Sequence, residues 1–420
     1  MKKLEKSVPV IRFKGFSEAW EQRKFEDCFN FPVSTNSLSR VMLNYDKGEV
    51  KNVHYGDVLI KYPCILNIKK EEIPYITGGC LEAYNSNLLE NGDLIFADAA
   101  EDETVGKAVE VNGITNENLV SGLHTIVARA TTQKAKYFLG YYINSDIYHR
   151  QLLRLMQGSK VSAISKGNLQ KTDVSFPKDI EEQQKIGSYF KKLDSTIALH
   201  QRKLDTLKQM KKGLLQQMFP KSEEGVPKIR FADFDEEWYQ RKLGEEFEKI
   251  NERNDGSFGK THWISVAKMY FVEPNKVLSN NIDTRTYVMR KGDIAFEGNS
   301  NTDFKFGRFV ANDIGPGIVS ELFPVYRHKT NYDNNYWKNA IQLEHIMAPI
   351  YSKSITSSGN SSNKLDSKHF LNQKIYIADF EEQEKIGSIF KQLDNTIILY
   401  QNKLNKFDML KKAYLQTMFI

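Results

Sequence analysis

The chain has 420 residues, of which 40% are hydrophobic, 12% aromatic and 27% charged, so it is long enough for two or three folded domains. Its formal net charge of +6 is compatible with nucleic-acid binding but does not establish it, because basic residues usually form solvated surface. No apolar stretch approaches a membrane span, and the N-terminus lacks the apolar core of a signal peptide. The three cysteines have neither a metal-binding nor a disulfide spacing, which favours a reducing cytoplasm.

The first predicted element is a leading segment that the chain carries twice. Residues 8–24 recur as residues 226–242, with Trp20 matched by Trp238 and the same Val-Pro and Gln-Arg-Lys groups in both copies. A self-match at a long fixed interval indicates an internal repeat. The sequence therefore predicts two repeats, each built from a leading segment, a globular body and a long helix.

The first globular body, from about residue 25 to 177, is predicted to be mixed α/β. Short β-like runs such as residues 57–60 and 93–96 are broken by Gly, Asn and Asp, and residues 136–156 have the pattern of a helix. Gly-Asp pairs precede such runs, where Gly permits a turn and Asp bonds the backbone beyond it. We interpret these carboxylates as turn formers rather than catalytic groups; the pairs are Gly56-Asp57, Gly92-Asp93 and Gly292-Asp293.

A small, polar and basic segment precedes each long helix, at residues 157–172 and 357–374. Such a segment can lay backbone amides, hydroxyls and ammonium groups along a phosphate chain. It is equally compatible with a flexible linker whose lysines keep it solvated. Its position before a long helix in both repeats favours a binding function.

Residues 181–219 and 381–419 each predict one long helix. Apolar residues recur at spacings of four and three over more than four heptads, which is the pattern of a coiled coil. A helix of about 39 residues is about 58 Å long, so two such helices most economically bury each other. Lys211 and Lys411 occupy the same register of the two seams. The predicted seam residues are Ile186, Phe190, Leu193, Ile197, Leu204 and Leu207 in the first helix, and Ile386, Phe390, Leu393, Ile397, Leu404 and Phe407 in the second.

Both helices are predicted to begin after an Asp that lies three residues before a Glu. The pairs are Asp179 with Glu182 and Asp379 with Glu382, and such side chains can accept the backbone amides of a first helical turn. Pro220 is predicted to end the first helix.

The second body, about residues 244–379, repeats the plan of the first with different residues. Arg308 matches Lys107, each placed after a Gly-Asp strand, but most of the intervening residues differ. Two bodies on one plan with different surfaces indicate two related but unequal ligands.

The motifs of the common enzyme and metal-site classes do not occur in the sequence. It has no phosphate-binding loop, dinucleotide fingerprint, HExxH motif, CxxC pair or [ND]-P-P-[YF] methyltransferase tetrapeptide. No cluster of histidines or carboxylates recurs in both repeats. We therefore predict a binding protein with no catalytic residue and no metal site.

With these elements in place, the chain resembles the specificity subunits of type I restriction-modification systems. The resemblance is carried by EEQQKI at residues 181–186 and EEQEKI at 381–386, the two Trp-containing leading segments, the Gly-Asp strands and the segment ending in Pro177. It covers essentially the full chain. The second copy departs from the first at Ile377, which stands in the place of Pro177.

The resemblance implies an α/β (α+β) fold in which two target recognition domains are joined by two long helices, packed as an antiparallel coiled coil with pseudo-twofold symmetry. Each domain would recognise one half of a split DNA sequence. Such readers contact half-sites about one duplex turn, or about 34 Å, apart, so the helices would set the unread spacer. The implied boundaries are 1–180 for the first recognition domain, 181–219 for the first helix, 220–243 for a linker and leading segment, 244–380 for the second recognition domain and 381–420 for the second helix.

The resemblance also implies partners that composition cannot reveal. These are double-stranded DNA, two modification subunits that dock on the helices and leading segments, and restriction subunits. Adenine methylation and ATP-dependent cleavage would belong to those subunits, which would hold S-adenosylmethionine, ATP and Mg, while this chain would bind no cofactor. A cytoplasmic complex without membrane contact is expected.

The two segments before the long helices are the first candidates for DNA contact. Their lysines would position phosphates and their serines would donate hydroxyl hydrogen bonds. Lys107 and Arg308 are secondary candidates because they occupy matched places in the two bodies. The residues in the two segments are Ser159, Lys160, Ser162, Lys166, Lys171, Ser362, Lys364 and Lys368.

Two other classes remain open on the sequence. The chain could be a two-lobed coiled-coil scaffold that binds other proteins without DNA recognition, in which case it would not bind DNA even at low salt. It could also be a stand-alone methyltransferase or nuclease, against which the missing motifs count.

Overall fold

The chain divides into two compact units in its computed structural model. One unit combines the residues up to Gln201 with residues 403–420, and the other is formed by residues 202–402. The division runs through both long helices, so each unit contains a part of each helix. The structure describes residues 8–157, 161–221, 224–278, 282, 284–358 and 363–420.

The first unit contains short strands and helices together with its parts of the long helices. Its strands are β1 (Glu21–Lys24), β2 (Phe29–Asn30), β3 (Leu43–Asn44), β4 (Val50–Val53), β5 (Ile65–Asn67), β6 (Tyr75–Ile76), β7 (Leu94–Ala97), β8 (Ala99–Ala100), β9 (Ala108–Asn112), β10 (Asn118–Ser121), β11 (Thr125–Ala130), β12 (Ser162–Ala163) and β13 (Asp173–Phe176). Its helices are α1 (Phe25–Cys28), α2 (Tyr55–Ile60), α3 (Phe138–Ile143), α4 (Asp146–Leu155), α5 (Lys166–Gln170), the beginning of α6 (Ile180–Gln217) and the end of α11 (Phe380–Thr417), with 3-10 turns at Arg40–Met42, Leu81–Ala83 and Asn85–Asn87.

The core of the first unit is built on a five-stranded sheet in the order β2-β11-β7-β9-β5. β7 lies antiparallel between β11 and β9, and β5 joins β9 in parallel. β1 pairs with β13, so the leading segment is bonded to the strand that precedes α6. Fully buried aromatic side chains fill the space between this sheet, the short helices and the long helices; they include Phe25, Phe96, Phe138, Tyr142, Tyr148 and Phe190.

The second unit repeats this plan. Its strands are β14 (Tyr239–Lys242), β15 (Phe247–Ile250), β16 (Ile264–Ser265), β17 (Tyr270–Phe271), β18 (Thr286–Met289), β19 (Ile294–Glu297), β20 (Arg308–Ala311), β21 (Gly317–Ser320), β22 (Val325–His328), β23 (Ile355–Ser358), β24 (Asn363–Leu365) and β25 (Lys374–Ile377). Its helices are α7 (Leu243–Glu246), α8 (Asn334–Ala340), α9 (Glu344–Ser354), α10 (Ser367–Asn372) and the remaining parts of α6 and α11, with 3-10 turns at Lys260–His262 and Pro274–Lys276.

The mixed fold class with two bodies and two long helices is confirmed. β14 pairs with β25 as β1 does with β13, and the central sheet of the second unit runs β15-β22-β19-β20. The bodies diverge elsewhere: β10 pairs in parallel with β4, whereas β21 pairs antiparallel with β18. One local prediction is wrong, because residues 57–60, expected as a β-like run, belong to α2, whose first turn is capped by His54.

Every residue of the predicted heptad seam is buried or half-buried. In the first unit Phe190 stacks on Phe419 with ring centroids 5.6 Å apart, and Lys411 ion-pairs with Asp194 at 2.6 Å. Residues further along α6 thus contact residues that come earlier in α11. The two helix parts within this unit are therefore antiparallel.

The second unit has the same arrangement with the roles of the helices exchanged. The ring of Phe219 lies 6.1 Å from that of Phe390, and Lys211 ion-pairs with Asp394 at 2.6 Å. The Lys at the matched seam register is thus neutralised by an Asp of the other helix in both units. This explains why the seam tolerates a charged residue there.

The two capping aspartates are confirmed, but the role predicted for the following glutamates is wrong. Asp179 Oδ1 accepts the Glu181 amide at 2.7 Å, and Asp379 Oδ1 accepts the Glu382 amide at 2.8 Å. The Glu182 and Glu382 carboxylates instead bind side chains of the leading segments.

Each leading segment holds a buried glutamate at the start of a long helix. Arg12 donates from Nε and Nη2 to the two Glu182 oxygens at 2.6 and 2.8 Å, and Trp20 Nε1 lies 3.4 Å from Oε1. The second repeat has the same network: Arg230 donates to Glu382 at 2.9 and 2.8 Å, and Trp238 Nε1 donates at 2.9 Å. The matched Trp residues therefore have a structural role.

The Gly that follows EEQxKI in both helices permits close approach of a short helix. A Cβ atom at Gly187 would lie 2.6 Å from the Lys136 carbonyl oxygen, and one at Gly387 would overlap Asp333 Oδ1. These contacts are made at the starts of α3 and α8. Any larger side chain would force the short helix away from the long one.

The turn role of the Gly-Asp pairs is confirmed at both central sheets, but each Asp bonds a backbone amide before it rather than beyond it as predicted. Asp93 Oδ2 accepts the Glu90 amide at 2.8 Å, and Asp293 Oδ2 accepts the Arg290 amide at 2.7 Å. An arginine that the sequence did not reveal binds each carboxylate in a bidentate manner. These pairs are Arg40 with Asp57, Arg129 with Asp93 and Arg327 with Asp293.

Candidate nucleic-acid interface

The segments before the long helices are folded wherever the structure describes them. The first forms β12 and α5, and the second forms the end of β23, β24 and α10. The flexible-linker interpretation is therefore wrong for these parts. Three predicted contact residues, Ser159, Lys160 and Ser362, lie outside the described residues.

In the first unit, the segment is bonded to the residues that follow the central strand β7. β12 pairs antiparallel with β8, which sets Ser162 opposite Ala100. The Ile164 amide then donates to the Asp98 carbonyl at 2.9 Å. Ser162 is half-buried in this pairing, which leaves its hydroxyl at the edge of the surface.

α5 presents the two remaining lysines of this segment. It begins with a capping box in which Ser165 Oγ accepts the Asn168 amide at 3.1 Å and Asn168 Oδ1 accepts the Ser165 amide at 2.9 Å. Lys166 and Lys171 flank this helix and are exposed. The Lys166 ammonium lies 5.5 Å from the ring centroid of Phe31, so a cation and an aromatic face lie together.

In the second unit, the matching segment has the same attachment. The Asn363 amide donates to the Gly298 carbonyl at 2.9 Å, and Gly298 directly follows the central strand β19. Lys364 lies next to Asn363 and is exposed. α10 is capped by Asp366, whose Oδ1 accepts the His369 amide at 2.8 Å, and it carries exposed Lys368.

Lys107 and Arg308 are engaged within the protein. Lys107 Nζ donates to the Leu59 carbonyl at 2.8 Å, and burial lowers its pKa. The Arg308 guanidinium donates to the Ala267 carbonyl and lies 4.8 Å from the ring centroid of Phe304. Both side chains thus tie the start of a central strand to a neighbouring segment, which makes them less available to DNA than the exposed lysines.

In each unit, the structure places the segment before the long helix and the secondary candidate, Lys107 or Arg308, at the two ends of one loop. We call residues 98–106, between β7 and Lys107, the first loop, and residues 298–307, between β19 and Arg308, the second loop. Each loop ends at a secondary candidate and is bonded at its beginning to the segment before a long helix. A loop and a lysine-bearing segment therefore form one surface in each unit.

The two loops differ in chemistry. The first loop exposes three consecutive acidic side chains, Glu101, Asp102 and Glu103. Asp102 is bonded to the Thr104 amide at 2.9 Å, while Glu101 and Glu103 have no hydrogen-bond or ion-pair partner among the described residues. Carboxylates repel phosphate, so these side chains are unsuited to contact with a phosphate chain.

The second loop is neutral at its tip. It exposes amide and hydroxyl side chains in the run Asn299-Ser300-Asn301-Thr302. Such groups can approach both phosphates and base edges without repulsion. The sequence interpretation missed both loops because they have no periodicity; the only available signal was the residue difference between two otherwise matched bodies.

A His–Asp pair adds to the first surface alone. His124 Nδ1 lies 3.2 Å from Asp98 Oδ1, and His124 adopts a positive φ of 54°. Burial raises the pKa of Asp98, and His124 partly offsets that rise. At the matched places of the second unit stand Gly298 and Phe323, so this pair distinguishes the two surfaces.

The described residues offer neither a metal site nor a membrane-spanning helix. Within the described ranges there is no group of three or more His, Cys, Asp or Glu side chains that could hold a metal ion. In the same part of the chain no helix is both long and apolar enough to cross a membrane.

Part of the chain matches a known family of protein domains. Residues 18–209 match the model of the type I restriction modification DNA specificity domain. This range begins within the leading segment and includes the first body with its candidate surface and most of α6. The resemblance to type I restriction-modification specificity subunits is therefore confirmed for the first repeat. The candidates of the first unit lie within this matched range, and those of the second unit lie outside it.

Relatives extend the similarity over the whole chain. The chain is 22% identical over 422 residues to the putative type I restriction enzyme MjaX specificity subunit of Methanocaldococcus jannaschii, covering 94% of this chain and 91% of the relative. Its fold is similar to that of the type I restriction-modification S subunit from M. genitalium, with a TM-score of 0.58, 13% identity and coverage of 98% and 99%. It is also similar to a chain from a structural study of complex assembly and conformational transition of the type I R-M system, with a TM-score of 0.52, 14% identity and coverage of 95% and 97%.

Proposed function

We propose that this specificity subunit recognises a split DNA target, with the body of each unit contacting one half. One arrangement carries the proposal: in each unit, a loop after a central strand is bonded to the lysine-bearing segment that precedes a long helix. Lysine contacts to phosphates would position the duplex, and loop side chains would contact base edges. Because the two loops differ in chemistry, the two half-sites should differ in sequence.

The long helices would have two roles in the complex. Their matched residues are expected to dock two copies of one modification subunit, because a repeated surface binds repeated partners. Their length would set the number of base pairs between the half-sites. The duplicated seam and the duplicated glutamate network support this assignment, since they hold the long helices through the same contacts in both repeats.

The chemistry would belong to other subunits. Modification subunits would carry S-adenosylmethionine and methylate adenine, and restriction subunits would use ATP and Mg to cleave DNA. This chain would contribute recognition and assembly without a catalytic residue. The missing methyltransferase and nucleotide-binding motifs in its sequence support that division.

The test of this function is the methylation pattern of DNA from cells that express the chain with its modification subunit. We expect a split motif with methyladenine in both halves, present only when the chain is present. Cells that express the modification subunit alone are the control. If a soluble complex forms but no motif depends on the chain, the recognition function is wrong and the protein-binding scaffold becomes the better explanation.

The exposed lysines of the second unit give a separate prediction about binding to phosphates. Replacing Lys364 and Lys368 with glutamine should weaken DNA binding by the assembled complex to a similar extent for all sequences. The slope of log affinity against log salt concentration should also become shallower by about 0.9 for each phosphate that the variant no longer neutralises. Binding isotherms at several salt concentrations measure both quantities.

Lys291→Gln is the matched control for this experiment. Lys291 is exposed but precedes β19, whereas the second loop follows that strand. Its replacement should leave the salt slope unchanged. Equal slopes for the wild-type complex and the Lys364/Lys368 variant would remove these lysines from the interface.

A further inference from the structure

The tip of the second loop carries polar side chains that make no hydrogen bond to other described residues. Asn299 and Ser300 are exposed, and neither side chain has a hydrogen-bond partner among the described residues. Neighbouring polar groups in the same loop are used internally: Asn301 Oδ1 accepts the amides of Asp303 and Phe304 at 2.9 Å each. Among the described residues nothing occupies the Asn299 amide, which leaves it available there to bind a ligand.

The base of the loop is held firmly, so its tip is presented in a defined position. Gly307 has a φ of +82°, and a Cβ atom at this position would overlap the Glu297 carbonyl oxygen. The Arg308 guanidinium covers the Phe304 ring. A side chain on such a support binds with less loss of conformational freedom than one on a flexible loop.

The tip lies next to the candidate phosphate-binding residues of the same unit. Gly298, which precedes Asn299 in the chain, accepts the hydrogen bond from the Asn363 amide, and Lys364 follows directly. At DNA interfaces, contacts to phosphates orient the protein and contacts to bases give specificity. Lys364 beside the neutral amide of Asn299 offers one group for each kind of contact. An asparagine amide can donate to N7 and accept from N6 of adenine in the major groove.

The corresponding part of the first loop cannot play this role. The residues after Asp98 are Ala99 and Ala100, whose backbone is used in the pairing of β8 with β12. The side chains that follow are acidic. An amide at the loop tip is thus a property of the second unit alone.

We propose that Asn299 is a specificity-determining residue that recognises one adenine of the half-site bound by the second unit. This inference rests on the proposed function and adds a residue and a base to it. Ser300 supplies a neighbouring hydroxyl, while Lys364 anchors the backbone of the same half-site.

The experiment uses the assembled complex and a library of targets in which each position of the second half-site is varied. Asn299→Ala should lose the preference for adenine at a single position by roughly five- to 150-fold, since a bidentate amide–adenine contact contributes that much discrimination. Preferences in the first half-site should be unchanged. Thermal unfolding of the variant should match that of the wild type, because Asn299 has no partner inside the described protein.

Lys364→Gln is the comparison variant, because it should weaken binding to all library members about equally. The inference is overturned if Asn299→Ala keeps every positional preference, or if it weakens binding uniformly as Lys364→Gln does. A wild-type complex without any split motif would instead refute the proposed function. The two failures are therefore distinguishable.

Discussion

Replacing Glu182 with glutamine is expected to lower the free energy of unfolding of the first unit by about 3–5 kcal/mol. The Glu182 side chain is 1% exposed and binds both Arg12 and Trp20. The same hydrogen bonds raise the pKa of Arg12. A neutral amide can still fill the space, but it leaves the largely buried guanidinium of Arg12 without its hydrogen-bonded counter-charge.

The structure predicts an effect of the same size at Glu382 in the second unit, where Arg230 and Trp238 make the same contacts. Hydrogen exchange measured on peptides from the starts of α6 and α11 would report the two units separately. Glu182→Gln should raise exchange at the start of α6, and Glu382→Gln at the start of α11.

Glu181→Gln is the control for this prediction, because the Glu181 side chain is exposed one residue away. It should change stability by less than about 0.5 kcal/mol. A double-mutant cycle with Arg12→Met would test the pairing directly, since removal of both charges should cost less than removal of one. Equal effects of Glu181→Gln and Glu182→Gln would show that the ion pair does not secure the helix.

The long helices could be predicted from sequence because their signal is local and repeated. A heptad pattern sustained over more than four heptads specifies both the helix and its buried face, and the predicted bounds differ from α6 and α11 by one or two residues at each end. The partner of Glu182 could not be predicted in the same way. Arg12 lies 170 residues earlier in the chain, and no local pattern encodes a contact over that separation.

The short segments before the helices show where local patterns mislead. A run of Gly, Ser and Lys resembles a linker, yet Ser165 and Asn168 close a capping box that nucleates α5. The two loops escaped prediction for a different reason. Their importance follows from backbone pairing with a distant segment, as between Gly298 and Asn363, and from chemistry that differs between the repeats.

One buried carboxylate should make the stability of the first unit depend on pH. Glu110 on β9 is 2% exposed and accepts the backbone amides of Tyr137 and Gly140 at 2.7 and 2.8 Å, which caps the start of α3. Burial raises its pKa to about 7, although these hydrogen bonds and Lys191 act in the opposite direction. The second unit has Ala311 in the matching strand and caps α8 with Asp333 instead.

The sign of the effect follows from the proton balance. Between its unfolded pKa near 4.5 and its folded pKa of about 7, Glu110 holds its proton in the folded state and has lost it in the unfolded state. The free energy of unfolding therefore falls as pH rises through this interval, by about 1.4 kcal/mol per pH unit and about 3 kcal/mol in all. The contribution is complete below pH 4.5 and lost above about pH 7.

Glu110→Gln isolates this contribution, because an amide does not titrate in the interval. The variant should be less stable than the wild type at pH 5, since its amide nitrogen cannot accept the second backbone hydrogen bond. This difference in the free energy of unfolding should shrink as pH rises to 8, because burial of the ionised Glu110 destabilises only the wild type. Hydrogen exchange of α3 peptides between pH 5 and 8, corrected for the intrinsic exchange rate, measures the difference, and α8 peptides serve as the internal control. A constant difference between variant and wild type over this range would show that Glu110 is already ionised at pH 5.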